Sequence, residues 1–408
     1  VKILVINYYY EPYVGAHAYR WTQIAKVWAA AGHDVDVIAG RTGDCTREVR
    51  EGVNIERVGI IRRQSNEKPI VSENPLRKQR IGFAKLIGAL KKVYRFFFWP
   101  DGLWHWLPFL LVSLYSRRKN NYDLVISYSP TFSAHIGATF LKLIKANKLF
   151  WVADYGDPFS ISYSMPPNNF LIYRLINNYA ESKVVESANM IVFTNESTCE
   201  GYRSCFGAVV DEKGKVIPHA VSIEEFYHCA KKGNRNFKHI VYVGAFHKNI
   251  REPKLMVDFF NALGQDLNIE VCIYGPLNGI YISEVNRGCV KYCGVVLRDD
   301  AMHIIRNADL LVNVENLDCV MTPSKVVEYV ATGLPIINFY ADKVTALLNH
   351  PAVSDRVLNV NAIDEVMAAV EFIKMSDLNS VSLDQVKAGL SGFSLSEVAD
   401  QYMDCTRG

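Results

Sequence analysis

Four residues in the second half of the chain carry the chemistry an anionic ligand needs. Arg251 follows Gly244 across a strand-to-helix connection. A guanidinium there can form bidentate hydrogen bonds to a diphosphate, and the glycine lets the backbone pass close to the ligand. An arginine near a helix start is unfavourable to the helix dipole unless an anion compensates it. Ser324 and Lys325 add backbone amides and an ammonium that can surround developing negative charge. Glu328 falls at the start of the helix predicted over 324–332. Its carboxylate can accept hydrogen bonds from both hydroxyls of a ribose, or simply sit favourably against the helix dipole.

The first half carries a different set. Asp154 and Asp157 follow an apolar strand over 149–153, where side chains emerge at a ligand crevice. Carboxylates in that position can orient an acceptor hydroxyl and take part in proton transfer. Asp157, before Pro158, also reads as a helix cap, and Asp154 as the partner of a cation. His135 sits in a helical stretch, pointing either into the crevice or into packing. Gly15 closes the loop that follows the first strand and lets amides approach an anion, or serves only as a flexible connection. Arg20, one helical turn on, can meet an anion, pair helices or face solvent. The loop lacks the G-x-G-x-x-G spacing, which argues against a nicotinamide dehydrogenase.

The elements that must position these residues alternate. Strand-like runs at 1–6, 35–39, 123–129, 149–153 and 190–194 are separated by helical stretches near 17–31, 133–145 and 171–188. The pattern restarts beyond residue 218, with strands at 239–243, 269–274, 289–292, 309–314 and 334–339 and helices near 252–264, 298–306 and 324–332. Strand, helix and strand in succession make parallel neighbours. A polar connector over 227–236 separates the two series, so two α/β sheets with a ligand between them are expected. The domains are 1–220, which the helical segment 393–408 can join, and 221–392.

The 408 residues give an apolar fraction of 50% and a charged fraction of 21%, enough for two packed cores. A formal charge of +3 and the absence of a compact basic module exclude a dedicated nucleic-acid binder. Nine cysteines contain no paired C-x-x-C arrangement, and Cys289 and Cys293 lack the further ligands of a zinc site, so no metal is expected. The opening run reads as a strand without a signal-peptide pattern, making the cytoplasm the expected compartment. Between 93 and 119, Phe96, Phe97, Phe98, Trp99, Trp104 and Trp106 lie among flanking lysines and arginines. Pro100, Asp101, His105 and Pro108 spoil a membrane span. Peripheral contact with anionic lipid, or an ordinary buried helix pair, remains.

Several separated segments together resemble the GT-B glycosyltransferases of family 4. They are EPYVG at 11–15 with Arg20 and GHDVDV at 32–37, SPTFSAH at 129–135, and WVADYGDP at 151–158. VIPHA at 216–220, YVGAF at 242–246 with Arg251, and PSKVVEYVATGLP at 323–335 complete the set, which spans nearly the whole chain. The resemblance implies two Rossmann-like domains facing a central cleft, the acceptor held mainly by the first and a nucleoside diphosphate sugar mainly by the second. It implies a donor site of Gly15, Gly244, Arg251, Ser324, Lys325 and Glu328, and catalytic roles for Asp154, Asp157, His135, Arg251 and Lys325. It further implies hexosyl or N-acetylhexosaminyl transfer with retention at the anomeric carbon. The donor is expected to be UDP-linked, and the acceptor a glycan or lipid-linked glycan of surface polysaccharide or lipopolysaccharide. No cofactor and no metal are expected, since no D-x-D site is evident. The enzyme is expected at the inner face of the plasma membrane.

One position departs from the family pattern, which commonly has a second glutamate where this chain has Val320. That contact to the transferred sugar is then missing, or is supplied by Glu315, Asp318 or the backbone of 319–322. The base contacts are expected from backbone near 294–297. Two alternatives share the architecture: a nucleotide-sugar 2-epimerase, and a noncatalytic nucleotide-sugar or carbohydrate-binding protein.

Overall fold

The computed structural model describes residues 1–13, 15–61, 98–146, 148–162, 171–227, 237–263, 267–317, 325–375 and 381–406. The chain divides into two compact units. Described residues up to Pro218, with the segment from Leu395, form the first, and His219–Ser394 the second.

The first unit is built on β1 (Lys2–Ile6), β2 (Asp34–Gly40), β3 (Arg47–Arg50), β4 (Val53–Val58), β5 (Leu124–Ser129), β6 (Trp151–Tyr155), β7 (Met190–Phe193) and β8 (Gly214–Val216). Their order across the sheet is β3-β4-β2-β1-β5-β6-β7-β8. Every residue of β5 and β6 is buried, so these central strands are mostly apolar, and their polar residues Ser127, Ser129 and Asp154 are buried with them. Only β3 runs antiparallel, pairing with β4 at the edge, and its charged residues discourage further strand addition. The winding reverses between β1 and β5, so the loops beyond their carboxyl ends diverge and open a crevice.

The helix Leu395–Asp404 closes this unit from the far end of the sequence. It packs on the helix Ala16–Ala30, where Trp28 Nε1 donates to the Ala399 carbonyl at 3.1 Å and the rings of Trp21 and Tyr402 lie 5.2 Å apart. Arg20 is 2% exposed. Its guanidinium donates to the carbonyls of Ile217 and Pro218 and, at 2.7 Å, to the Tyr402 hydroxyl, which donates on to Asp154 Oδ2 at 2.5 Å. The anion reading of Arg20 is therefore corrected: its hydrogen bonds are made inside the fold.

The second unit contains β9 (Lys238–Val243), β10 (Ile269–Tyr274), β11 (Val290–Gly294), β12 (Leu310–Val314), β13 (Ile336–Phe339) and β14 (Val357–Val360). All are parallel, in the order β11-β10-β9-β12-β13-β14. This is the doubly wound order of a dinucleotide-binding fold, with its reversal between β9 and β12. The helix Lys254–Leu263 buries Met256, Phe259, Phe260 and Leu263 on one face, and Lys325–Thr332 buries Val326, Val330 and Ala331 on the other.

Residues 93–97 of the aromatic segment lie outside the described residues. Phe98 stacks on Trp104 with ring centroids 4.6 Å apart, and Trp106 is buried. The helix Leu107–Ser116 buries Leu110 and Leu114 but exposes Phe109, Val112 and Tyr115 on its outer side. The Arg118 guanidinium lies 4.3 Å over the Tyr115 ring. Among the described residues, no helix is long and apolar enough to cross a membrane.

Candidate functional site

The residues of the second half converge where the second sheet reverses its winding. β9 ends at Val243, whose carbonyl accepts Lys325 Nζ at 2.6 Å. The Tyr329 hydroxyl bridges the amide and the carbonyl of the same residue at 2.9 and 3.1 Å. That clamp fixes the first turn of Lys325–Thr332 over the end of β9. Gly244 comes next, and a Cβ there would meet the Tyr242 hydroxyl at 2.7 Å. Gly275, just past β10, has φ 135°, and its Cβ would lie 2.0 Å from the Gly244 carbonyl oxygen. Gly294 ends β11, and its carbonyl accepts the Gly275 amide at 2.8 Å. Three neighbouring strands thus finish on glycine and present bare backbone at the lip of the sheet.

Arg251 reaches this lip through a closed turn. His247 and Arg251 exchange backbone hydrogen bonds of 3.1 and 2.8 Å, and the Leu317 amide donates to the Ile250 carbonyl at 2.6 Å. The loop after β9 is thereby tied to the segment after β12. Arg251 Nε donates to Asn316 Oδ1 at 3.0 Å and Nη1 to the Ala245 carbonyl at 3.3 Å. These partners are neutral. Burial pushes the Lys325 ammonium down to about 8, with Glu328 opposing the shift and Arg251 and Arg298 adding to it. Glu328 Oε1 accepts Arg298 Nη2 at 3.0 Å.

Among the described residues, Arg251, Lys325 and Arg298 outnumber the two carboxylates beside them, Glu328 and Glu315. Glu328 is matched to Arg298. Glu315 accepts the Thr345 amide and hydroxyl at 3.0 and 2.9 Å, and burial raises its pKa. Its hydrogen bonding goes to Thr345, which replaces the expectation that Glu315 grips a sugar. The surplus positive charge beside bare backbone is what a diphosphate compensates. Ser324, Val320, Asp318 and 319–322 lie outside the described residues.

The first unit separates its candidates. Asp157 lies beyond β6 with its side chain partly exposed, and its Oδ2 is 3.4 Å from His17 Nε2. The other ring nitrogen of His17 is 2.8 Å from the Tyr128 hydroxyl of β5. Gly156 permits this approach, since a Cβ there would strike the Tyr128 hydroxyl at 2.0 Å. Gly15 precedes the helix that carries His17 and has open space around it. His17, Tyr128 and Asp157 thus meet where the first sheet reverses.

Asp154 and His135 are corrected. Asp154 is fully buried between Tyr402 and Arg20, whose Nε lies 3.8 Å away, and burial pushes its carboxyl up to about 6. His135 is fully buried, with Nδ1 2.7 Å from Ser127 Oγ, and burial pushes its imidazole down to about 3. Neither side chain reaches the surface to touch an acceptor.

No protein-family model matches the sequence, and no curated protein matches it either. Solved structures do resemble it. The Anabaena protein HepE in complex with UDP-glucose matches with TM-score 0.60 at 14% identity, over 99% of this chain and 98% of that one. The lipopolysaccharide outer core galactosyltransferase WaaB matches with TM-score 0.58 at 10% identity, over 99% of each chain. A putative UDP-N-acetylglucosamine 2-epimerase from Listeria monocytogenes matches with TM-score 0.53 at 8% identity, over 99% and 95%. The chain has the GT-B fold.

Within this GT-B chain, Arg298, Gly275 and His17 were not singled out as site residues from sequence, whereas Gly294 falls in the stretch expected to contact the base. Arg298 opens a helix directly after 294–297, and His17 follows Gly15 at the start of another; both positions are the signal that could have found them. A metal has one candidate place among the described residues, where His239, Glu270 and Cys272 offer donors within 4.8 Å of one another. Glu270 is there paired with Lys291 at 2.5 Å, so one of the three donors already meets a cation, and we assign no ion to the cluster.

Proposed function

We propose that this chain is a retaining glycosyltransferase. It moves a hexosyl or N-acetylhexosaminyl group from a nucleoside diphosphate sugar, UDP-linked, to a hydroxyl of a glycan or lipid-linked glycan in surface polysaccharide or lipopolysaccharide assembly. One observation carries the reading: among the described residues, three cations and only two carboxylates surround the glycine-lined lip of the second sheet. HepE bound to UDP-glucose and the galactosyltransferase WaaB, similar in fold, lend it support.

In this reading the second unit holds the donor. Glu328 accepts hydrogen bonds from the ribose hydroxyls while keeping its bridge to Arg298. Arg251 and Lys325 bind the diphosphate and stabilise the charge that grows as the bond from the anomeric carbon to the phosphate oxygen breaks. The acceptor oxygen bonds to that carbon on the same face, and its proton passes to the departing diphosphate. Fixed cations do the electrostatic work, so the reaction runs without a metal and persists in a chelator. In the first unit His17 and Asp157, which reach solvent, orient the acceptor hydroxyl in place of the buried Asp154 and His135. Phe109, Val112 and Tyr115 with Arg118 supply peripheral contact to an anionic membrane at its cytoplasmic face, where a lipid-linked acceptor resides.

The test is a panel of nucleotide sugars incubated with lipid extracts and followed by mass spectrometry. A gain of one glycosyl residue on a lipid-linked species, with release of the nucleoside diphosphate, is the expected result. The likeness to a putative 2-epimerase keeps a second reading in view. Conversion of a UDP-sugar with no acceptor present would replace transfer with epimerisation, and donor binding without any product would leave a noncatalytic binder.

A further inference from the structure

Two thiols meet at the edge of the second sheet. β10 and β11 pair as Val271 with Val290, Cys272 with Lys291 and Ile273 with Tyr292, and then as Tyr274 with Gly294. Cys293 is the residue the ladder skips. Side chains alternate along a strand, so Cys293 turns away from the face of Tyr292 and Ile273, toward the face that carries Cys272 and Tyr274. Re-aiming a side chain in this way is what a bulge does. The two thiols are diagonal neighbours on that face, close enough that each, with Tyr274, shifts the ionisation of the other. Cys272 is buried, whereas Cys293 is exposed.

We propose that Cys272 and Cys293 form a hydroperoxide-reactive dithiol, with Cys293 as the attacking sulfur and Cys272 as the resolving one. The thiolate of Cys293 attacks one oxygen of the peroxide. The O–O bond breaks, hydroxide or alkoxide leaves, and Cys293 becomes a sulfenic acid. The Cys272 sulfur then attacks the Cys293 sulfur and displaces the hydroxyl as water, taking up the proton that the Cys272 thiol gives up. Two electrons pass from the pair of sulfurs to the peroxide. Exposure of the attacking sulfur, burial of its neighbour and their place side by side on one face of the sheet are the arrangement this sequence of steps requires. The neighbouring Cys272 thiol, with help from Tyr274 and the nearby Lys291 ammonium, holds Cys293 down at about 6.

The position gives the oxidation a consequence, which rests on the donor reading above. Cys293 is followed directly by Gly294, whose carbonyl anchors Gly275 at the glycine lip, and then by the loop that runs to Arg298, the partner of Glu328. Joining the sulfurs draws Cys293 toward β10 and displaces that loop. Oxidation is thus expected to weaken the donor grip.

The experiment treats the full reduced chain with hydrogen peroxide in the presence of a chelator and maps its cysteines by alkylation and mass spectrometry. A linked Cys272–Cys293 peptide is expected, with Cys293 consumed about tenfold faster than the exposed Cys45 and Cys205. Cys272→Ser should leave a sulfenic acid on Cys293 that dimedone traps, and Cys293→Ser should abolish the link. A Cys293 that reacts no faster than Cys45, or a reduced chain that yields no such link, overturns the proposal. UDP titrated into reduced and oxidised protein reads the coupling, with affinity expected to fall about tenfold on oxidation and to return with dithiothreitol. Equal affinity in the two states refutes the coupling. Absence of UDP binding to the reduced protein refutes the donor reading and the coupling with it, while the cysteine map still decides the dithiol.

Discussion

At the carboxyl end of the first sheet, Arg20 and Asp154 are sealed beneath the helix Leu395–Asp404. At the same end of the second, Arg251, Lys325, Arg298 and Glu328 all keep part of their surface in water. Both ends are reversal points of a doubly wound sheet, so topology does not distinguish them. What differs is how charge is matched. Arg20 spends its donors on two carbonyls and a tyrosine beside a buried carboxyl, whereas Arg251 hydrogen-bonds to the neutral Asn316 and Ala245 and shares its surroundings with two further cations. A cation satisfied by its own fold stabilises that fold, and a cation left unmatched at a crevice waits for a ligand.

The contrast breaks first at Arg20. Arg20→Ala strands Asp154 without its cation and should cost about 3–5 kcal/mol of stability, read from the midpoint of chemical unfolding. A fully stable Arg20→Ala protein that had lost ligand binding would reverse the assignment. Arg251→Ala should do the opposite, lowering turnover about 100-fold or more while the unfolding midpoint stays put. Glu328→Ala should weaken UDP binding about tenfold by calorimetry, or roughly 1.4 kcal/mol, since the ribose contact is lost together with the bridge to Arg298.

The smallest effect concerns pH. In the first unit, Asp101 and Asp154 are held up at about 6 and Glu181 at about 7, each chiefly by burial. Glu181 accepts the Ser160 amide at 3.0 Å and the Tyr202 hydroxyl at 2.6 Å. These carboxyls bind a proton more tightly folded than unfolded. Their contribution is full below about pH 4 and is lost as the pH rises through 6 to 7. His135, held down at about 3, acts in the other sense: its contribution is full above about pH 6.5 and is lost as the pH falls toward 3. Glu181→Gln should therefore reduce the decline of stability between pH 5 and 7, by at most about 1 kcal/mol per pH unit in urea unfolding. No change in that slope would show that Glu181 is not the group responsible.

The parallel strands were legible because burial on both faces leaves short runs dominated by apolar and β-branched residues, as in 123–129 and 269–274. β3 and β4 were not, since REVR and VNIERV mix charge with short apolar residues and depend on each other for pairing. β14 is a short run whose place follows only from pairing with β13. Gly244, Arg251, Lys325 and Glu328 stand directly after strand or helix signals, and the structure gathers them at one sheet end. Arg298 joins Glu328 because the helix after β11 lies against the one after β12, a proximity that no local pattern contains. Asp154 misled for a related reason. Its place at the end of a strand pointed to the crevice, while the tyrosine that covers it comes from the last helix.

The covering of Asp154 also bears on the order in which the protein can be made. A ribosome has translated every residue of the second unit before Ala399 and Tyr402 emerge to meet Trp28 and Arg20. The half begun earliest is the half completed last. A nascent chain halted before Leu395 would hold Arg20 and Asp154 without their lid, and a premature stop codon there should mark the product for proteolysis even with all four charged residues of the second lip in place.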